Sequence, residues 1–283
     1  MSVLIKGGRV ITAADDYVGD VLVEGETVAQ LGDSLDVQAD KVIDASGKYV
    51  LPGCIDPHTH MEMAFGGTVT CDDFTSGTTS AAFGGTTTHV DFCMQTPGDS
   101  LPDALAAYHE KIERAKPVID VGFHIAVTDL HEGGNLEDLA RLPDEGVTSY
   151  KLFMAYKGAI MVDDETLFKV MQVAADTGAL VMVHAENGDA IAKLQAQALA
   201  RGDTEPRWHG LTRPEAVDVL VKKALAEGKT EPKWHAATRP PITEAEATNR
   251  AIQLARVAGA PLYVVHVSCK EAIEPIERAR AAN

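Results

Sequence analysis

Two histidines separated by one residue, His58 and His60, close the stretch Pro52-Gly53-Cys54-Ile55-Asp56-Pro57-His58-Thr59-His60. Residues i and i+2 of a strand face the same side, so the two imidazoles can hold one ion together. An HxH pair alone is weak evidence, because exposed or packed histidines give the same pattern. Its position at the end of an apolar strand, where barrel enzymes gather their catalytic groups, strengthens the metal reading. Val181-Met182-Val183-His184 and Tyr263-Val264-Val265-His266 repeat the theme, each a β-branched run that ends in histidine. A single buried histidine is more often a satisfied core residue. Three strands ending this way argue for a convergent site, since neutral imidazole is the commonest ligand of zinc-like ions. A fourth run, Ser149-Tyr150-Lys151-Leu152-Phe153-Met154-Ala155, is interrupted by a lysine. Burial disfavours its ammonium form and leaves a neutral, nucleophilic amine. Such an amine can take up carbon dioxide as a carbamate, an anionic oxygen ligand able to bridge two ions. The plainer alternatives are a lysine reaching out at a sheet edge or paired with a carboxylate.

These residues need elements to position them. The first fifty residues read as short strands, Val3-Leu4-Ile5, Arg9-Val10-Ile11, Val21-Leu22-Val23 and Val28-Ala29-Gln30-Leu31, with turn formers Gly7-Gly8, Asp15-Asp16, Gly25 and Gly32-Asp33 between them. From Leu51 onward, apolar runs alternate with helical segments, which is the pattern of βα units around a parallel sheet. Strands are expected at 54–60, 86–93, 121–127, 149–155, 180–186 and 262–268, two fewer than a closed eight-stranded barrel. Helices are expected at 101–116, at 163–177 with Gly178 as a stop, and at 244–258 before Gly259. Thr243 with Glu246 has the spacing of a capping box for the last of these. The segment 198–214 recurs as 224–240, an internal duplication between the fifth and sixth strands that includes Trp208-His209 and Trp234-His235. A single repeat is not a solenoid. Thr212-Arg213-Pro214-Glu215 can cap an extra helix running to about Glu227, and the Trp-His pairs read as surface in preference to a lid.

With 283 residues, 45% of them hydrophobic, the chain can bury a barrel-sized core with a small companion. Its 42 acidic and 25 basic residues are spread along the chain, and the net charge of −17 disfavours binding to a phosphate backbone. Cys54, Cys71, Cys93 and Cys269 form no CxxC pair, and no disulfide is expected. No signal-like start and no apolar run of roughly 18 residues occurs, so a soluble cytoplasmic protein, with neither nucleic acid nor membrane as partner, is the expectation. His89, His109, His124 and His131 read as structural or solvated. The Gly66-Gly67 and Gly84-Gly85 pairs lack phosphate-loop spacing and read as turns or close-packing positions.

In this order the motifs resemble the dihydropyrimidinase and hydantoinase branch of the amidohydrolase superfamily. The resemblance is carried by Pro52 to His60, Phe65-Gly66-Gly67-Thr68, Ala82-Phe83-Gly84-Gly85-Thr86-Thr87, Ser149 to Lys157, His184 to Gly188 and His266-Val267-Ser268. It implies an α/β chain, a (β/α)8 TIM barrel of the metal-dependent hydrolase type, incomplete here, over residues 52–283. The duplicated insertion lies around 198–240, and residues 1–51 are the amino-terminal part of a small β-sandwich domain. It further implies two divalent metal ions, with zinc the expected metal. His58 and His60 would hold the first ion, His184 and His266 the second, and Lys151, as N6-carboxylysine, would bridge them. Tyr156 would hydrogen-bond the substrate carbonyl and stabilise its oxyanion, and Met63 and Phe65 would belong to the pocket wall. A metal-bridging hydroxide would open a small cyclic ureide to an N-carbamoyl amino acid, and a full-length family member would be a homotetramer. Family members also carry an aspartate ligand on a later strand, for which no position exists before Asn283. The alternatives are a non-catalytic homologue serving as an assembly subunit, or a related ring hydrolase of the allantoinase or dihydroorotase type. The stretches Phe65 to Thr68 and Met154-Ala155-Tyr156 favour the hydantoinase side.

Overall fold

The structure is a computed structural model and describes residues 1–65, 68–130, 135–200 and 241–282. The expectations about the Trp-His pairs, the extra helix after Thr212 and His131 fall outside these residues. Contacts divide the chain into two compact units, residues 1–56 with 81–88, and residues 57–80 with 89–283.

The first unit contains a five-stranded mixed sheet. β1 (Ser2–Ile11), β2 (Asp16–Glu24), β3 (Thr27–Gly32) and β4 (Lys41–Asp44) lie in the order β3-β2-β1-β4, and β5 (Tyr49–Val50) also pairs with β1. The Gly7-Gly8 pair is not a turn between two strands, as expected, but an irregularity within the continuous β1, where the register against β2 shifts between Ile5 and Gly8. Glycine pairs suit both features. Gly7 has φ +66°, and its N–H donates to Asp20 Oδ1 at 2.8 Å, while Asp20 Oδ2 accepts from Leu35 N at 2.9 Å. These two N–H donors hold the buried Asp20 carboxyl below its usual range.

The second sheet has six strands: β6 (Cys54–Thr59), β9 (Thr86–Met94), β10 (Asp120–Ala126), β11 (Ser149–Phe153), β12 (Leu180–His184) and β13 (Leu262–Val264). They lie in chain order, and β10 to β13 pair in parallel. Helices separate them: α1 (Phe74–Gly84), α2 (Leu101–Ala115), α3 (Asn135–Arg141), α4 (Asp164–Thr177), α5 (Gly188–Ala200) and α6 (Pro241–Ala258), with α7 (Lys270–Ala281) after β13. Sequential parallel strands with a helix in each crossover make this a curled, incomplete TIM barrel, as expected. The strands end sooner than expected, β11 at Phe153, β12 at His184 and β13 at Val264. α1 and the small hairpin of β7 (Ala64–Phe65) with β8 (Thr68–Val69) were not anticipated.

Strand alternation sorts the core into two layers. Tyr150, Leu152, Val181 and Val183 join the main hydrophobic core with Leu167, Val170, Met171 and Ala174 of α4 and Ala247, Ala251 and Ala255 of α6. Phe92, Met182 and Val265 form a separate cluster on the opposite, inner face. Lys151 alternates with Tyr150 and Leu152 and pairs in register with Met182, so it belongs to the inner face. α4 starts where expected: Asp163 accepts from Thr166 N at 2.7 Å, and Gly178 closes the helix at φ +77°. α6 does not. Its described residues begin at Pro241, so Thr243 lies within the helix and not at the cap position expected for it.

Candidate metal and active site

The inner face carries its functional side chains at or just beyond the carboxyl ends of the strands. His58 stands on β6, His60 one residue past it, Lys151 within β11, His184 at the last position of β12 and His266 two residues after β13. Their rings form a chain of contacts: His58 to His60 at 5.2 Å, His58 to His266 at 5.5 Å and His184 to His266 at 4.7 Å between centroids. Phe92 is fully buried beneath the first pair, stacked on His60 at 4.9 Å and edge-on to His58 at 4.6 Å. Lys151 Nζ lies 5.1 Å from the Phe92 ring centroid and 4.9 Å from that of Phe153.

Electrostatics show how this arrangement works. Burial holds His58 and His60 down at about 4, helped in both by the positive charge of Lys151. His266 is also held at about 4, by burial first, then by His184 and Lys151. Lys151 is only 1% exposed, and burial lowers it to about 7. Its charge therefore reaches His58, His60 and His266, which places the amine near that cluster. His58, His60 and His266 are neutral at pH 7, the form that ligates metals. His184 Nδ1 and His266 Nε2 lie 3.1 Å apart, at hydrogen-bond distance, and His184 Nε2 lies 2.9 Å from Glu186 Oε2. Glu186 is a carboxylate that sequence reading missed, although it follows His184 by two residues.

The residues fit a divalent metal centre by their chemistry. His60 Nδ1 is buried without a hydrogen-bond partner, and the facing nitrogens of His184 and His266 are close enough for both to meet one ion. Among the described residues, no three His, Cys, Asp or Glu side chains are placed to hold one ion. Lys151, a further donor candidate, lies outside that residue class.

Tyr156 follows β11 with its ring 5.2 Å from that of His184. It has φ +68°, and His266 has φ +37°. Left-handed backbone is unfavourable for side chains of this size, and strain of this kind concentrates at functional sites. Met63 directly precedes β7, its amide donating to Thr70 Oγ1 at 3.0 Å. Phe65 is in β7, and its side chain lies outside the described set. Neither residue is brought into the imidazole cluster by a described contact. His124, read as structural, is buried on the inner face, with Nε2 3.0 Å from the Pro57 carbonyl and Nδ1 against Ser149 Oγ. A carbonyl only accepts, so Nε2 carries the proton and Nδ1 accepts from the serine.

Residues 49–282 match the model of the amidohydrolase family. The chain belongs to that family. It is 48% identical over 281 residues to a D-hydantoinase of Geobacillus stearothermophilus, covering 99% of this chain and 54% of that protein. A dihydropyrimidinase of Rattus norvegicus is 39% identical over 282 residues, with 98% of this chain and 49% of that protein covered. The crystal structure of dihydropyrimidinase from Brevibacillus agri NCHU1002 superposes with a TM-score of 0.86 at 49% identity, over 100% of this chain and 55% of that one. The amidohydrolase chain described here thus spans about half the length of these relatives.

Proposed function

We propose that this chain carries the metal-binding part of a cyclic amidohydrolase that opens hydantoins and dihydropyrimidines to N-carbamoyl amino acids. One observation carries the reading: a lysine amine, 1% exposed and lowered to about 7, on the same sheet face as a chain of imidazoles formed by His60, His58, His266 and His184. His58 and His60 would hold one divalent ion and His184 and His266 another, zinc being the metal best suited to four neutral imidazoles. The neutral Lys151 amine attacks carbon dioxide, forms an N–C bond and releases a proton to water. The resulting carbamate supplies the negative oxygens that four imidazoles lack. The two ions, when bound, supply Lewis acidity and lower the pKa of water.

The remaining work falls to the chain itself. Phe92 and Met182 exclude water from the floor around Lys151, which keeps the amine neutral. Tyr156, beside His184, would donate its hydroxyl proton to the substrate carbonyl oxygen as negative charge develops there. Met63 and Phe65 would contribute to the pocket wall. Similarity to proteins named hydantoinase and dihydropyrimidinase favours this reading over a non-catalytic assembly subunit. It also supports a small ureide as substrate, and the homotetramer remains part of the proposal for the longer protein.

The test is carbon-13 NMR of the zinc-loaded chain in labelled bicarbonate, with ring opening of hydantoin and dihydrouracil followed by appearance of the carbamoyl product. A carbamate resonance in the wild type that is absent from Lys151→Ala is expected. Equal spectra from the two proteins would refute the bridging role.

A further inference from the structure

Asp91 is a carboxylate in the wrong solvent. It sits on β9 with the same alternation as Cys93, which belongs to the helix-facing core, whereas Phe92 between them faces inward. It is 0% exposed, and burial pushes it up to about 7. Its Oδ1 has no hydrogen-bond partner. For folding alone an apolar side chain would serve better, because a buried carboxyl with an unsatisfied oxygen is costly.

The other oxygen explains its presence. Asp91 Oδ2 accepts from Thr59 Oγ1 at 2.7 Å and from Met61 N at 2.9 Å. Thr59 lies between His58 and His60, and Met61 follows directly. The same stretch is held at further points: the Pro57 carbonyl by His124 Nε2 at 3.0 Å, Glu62 N by the Asp72 carbonyl at 3.0 Å, the Glu62 carbonyl by Lys111 Nζ at 3.1 Å and the Glu62 carboxylate by Arg114 at 2.8 Å. β6 ends at Thr59, so beyond it the sheet ladder no longer fixes the backbone. The only side chain holding that exit from within, on the two residues that bracket His60, is Asp91 among the described residues.

We infer that Asp91 is a positioning residue for the first metal half-site, clamping Thr59 and Met61 from behind the sheet so that the His58 and His60 imidazoles are held in ligating geometry. This rests on the metal reading of the site. It requires an acceptor oxygen at Oδ2 and not a charge, because both donors meet the same oxygen. Asp91→Asn therefore keeps the clamp, with its amide oxygen in the Oδ2 position, and Asp91→Ala abolishes it. Thr59→Val removes one of the two anchors while keeping the side-chain shape.

The test is a zinc titration of the whole chain followed by nitrogen-15 shifts of the imidazoles, assigned by single His→Gln variants, with circular dichroism as a check on folding. Asp91→Ala is expected to weaken zinc binding at His58 and His60 about 10–100-fold, the usual cost of losing an outer support, while His184 and His266 respond as in the wild type. Thr59→Val should fall between, and Asp91→Asn should stay within about threefold of the wild type. A purely structural role would weaken all four imidazoles together and would overturn the inference; if Asp91→Ala unfolds, Thr59→Val decides, a loss confined to His58 and His60 supporting the inference and a loss at all four imidazoles, or none, overturning it. Asn behaving as badly as Ala would replace positioning by charge. Unchanged His58 and His60 shifts in both Ala and Val variants would overturn the inference alone, whereas a wild type that takes up no zinc would overturn the metal reading beneath it.

Discussion

Lys151 decides how this site responds to pH. His58, His60 and His266 titrate at about 4 and are already neutral above pH 5, but the amine titrates at about 7. Below that value the neutral fraction falls about tenfold per pH unit. Carbamate formation needs the neutral amine, so zinc uptake in bicarbonate should climb steeply from pH 5 to 7 and level off above about 8. Uptake that follows a midpoint near 4 instead would assign the control to the imidazoles. The five residues expected as ligands could be picked out because each is a polar residue within or at the end of an apolar run. Asp91 breaks a strand on the opposite, helix-facing side and was passed over, whereas His124 was read only as structural or solvated. A lone carboxylate or imidazole in a strand gives no sign of its partners, and Thr59, Met61, Pro57 and Ser149 lie far from them in sequence.

At the level of elements, the site depends on where strands stop and helices start. Gly188 opens α5 so close to the end of β11 that a Cβ there would lie 2.8 Å from the Met154 carbonyl oxygen and 2.8 Å from Ala155 Cα, next to Tyr156. Gly188→Ala should cost about 1–3 kcal/mol by overpacking and should displace Tyr156. By contrast, Asp163→Ala, which removes the cap of α4, should cost about 1 kcal/mol and leave zinc content unchanged. Urea denaturation and metal analysis of both variants separate the two effects. Helix boundaries marked by a cap and a glycine were readable, as in α4. The Thr243 spacing misled for α6, because Thr243 already lies within the helix, with Ala245 and Ala247 packed inward. α1 was missed because its sequence, Phe74-Thr75-Ser76-Gly77-Thr78-Thr79-Ser80, has little helix propensity. Packing holds it, with Gly77 so close to Met61 that an added Cβ would lie 2.4 Å from that sulfur.

Over the whole molecule, the barrel sheet has β13 at one end, with a cavity of about 580 Å³ between it, α6 and α7. Ile252, Leu262, Val264 and Ile276 line this space, and Tyr263 is 51% exposed. A strand edge with no partner among the described residues, beside apolar surface, can pair with another chain. Sedimentation velocity should show association that grows with concentration and weakens in Tyr263→Lys, while a monomer at all concentrations would contradict it. The sequential order of the strands was readable from βα alternation alone, because each crossover admits one hand. No helix among the described residues is long and apolar enough to cross a membrane. The central claim is that Lys151 joins two histidine pairs into one metal centre, and the zinc content per chain after loading in bicarbonate at pH 8 tests it most directly. About two ions per wild-type chain and loss of both in Lys151→Ala is the expected result; equal zinc in the two proteins would contradict it.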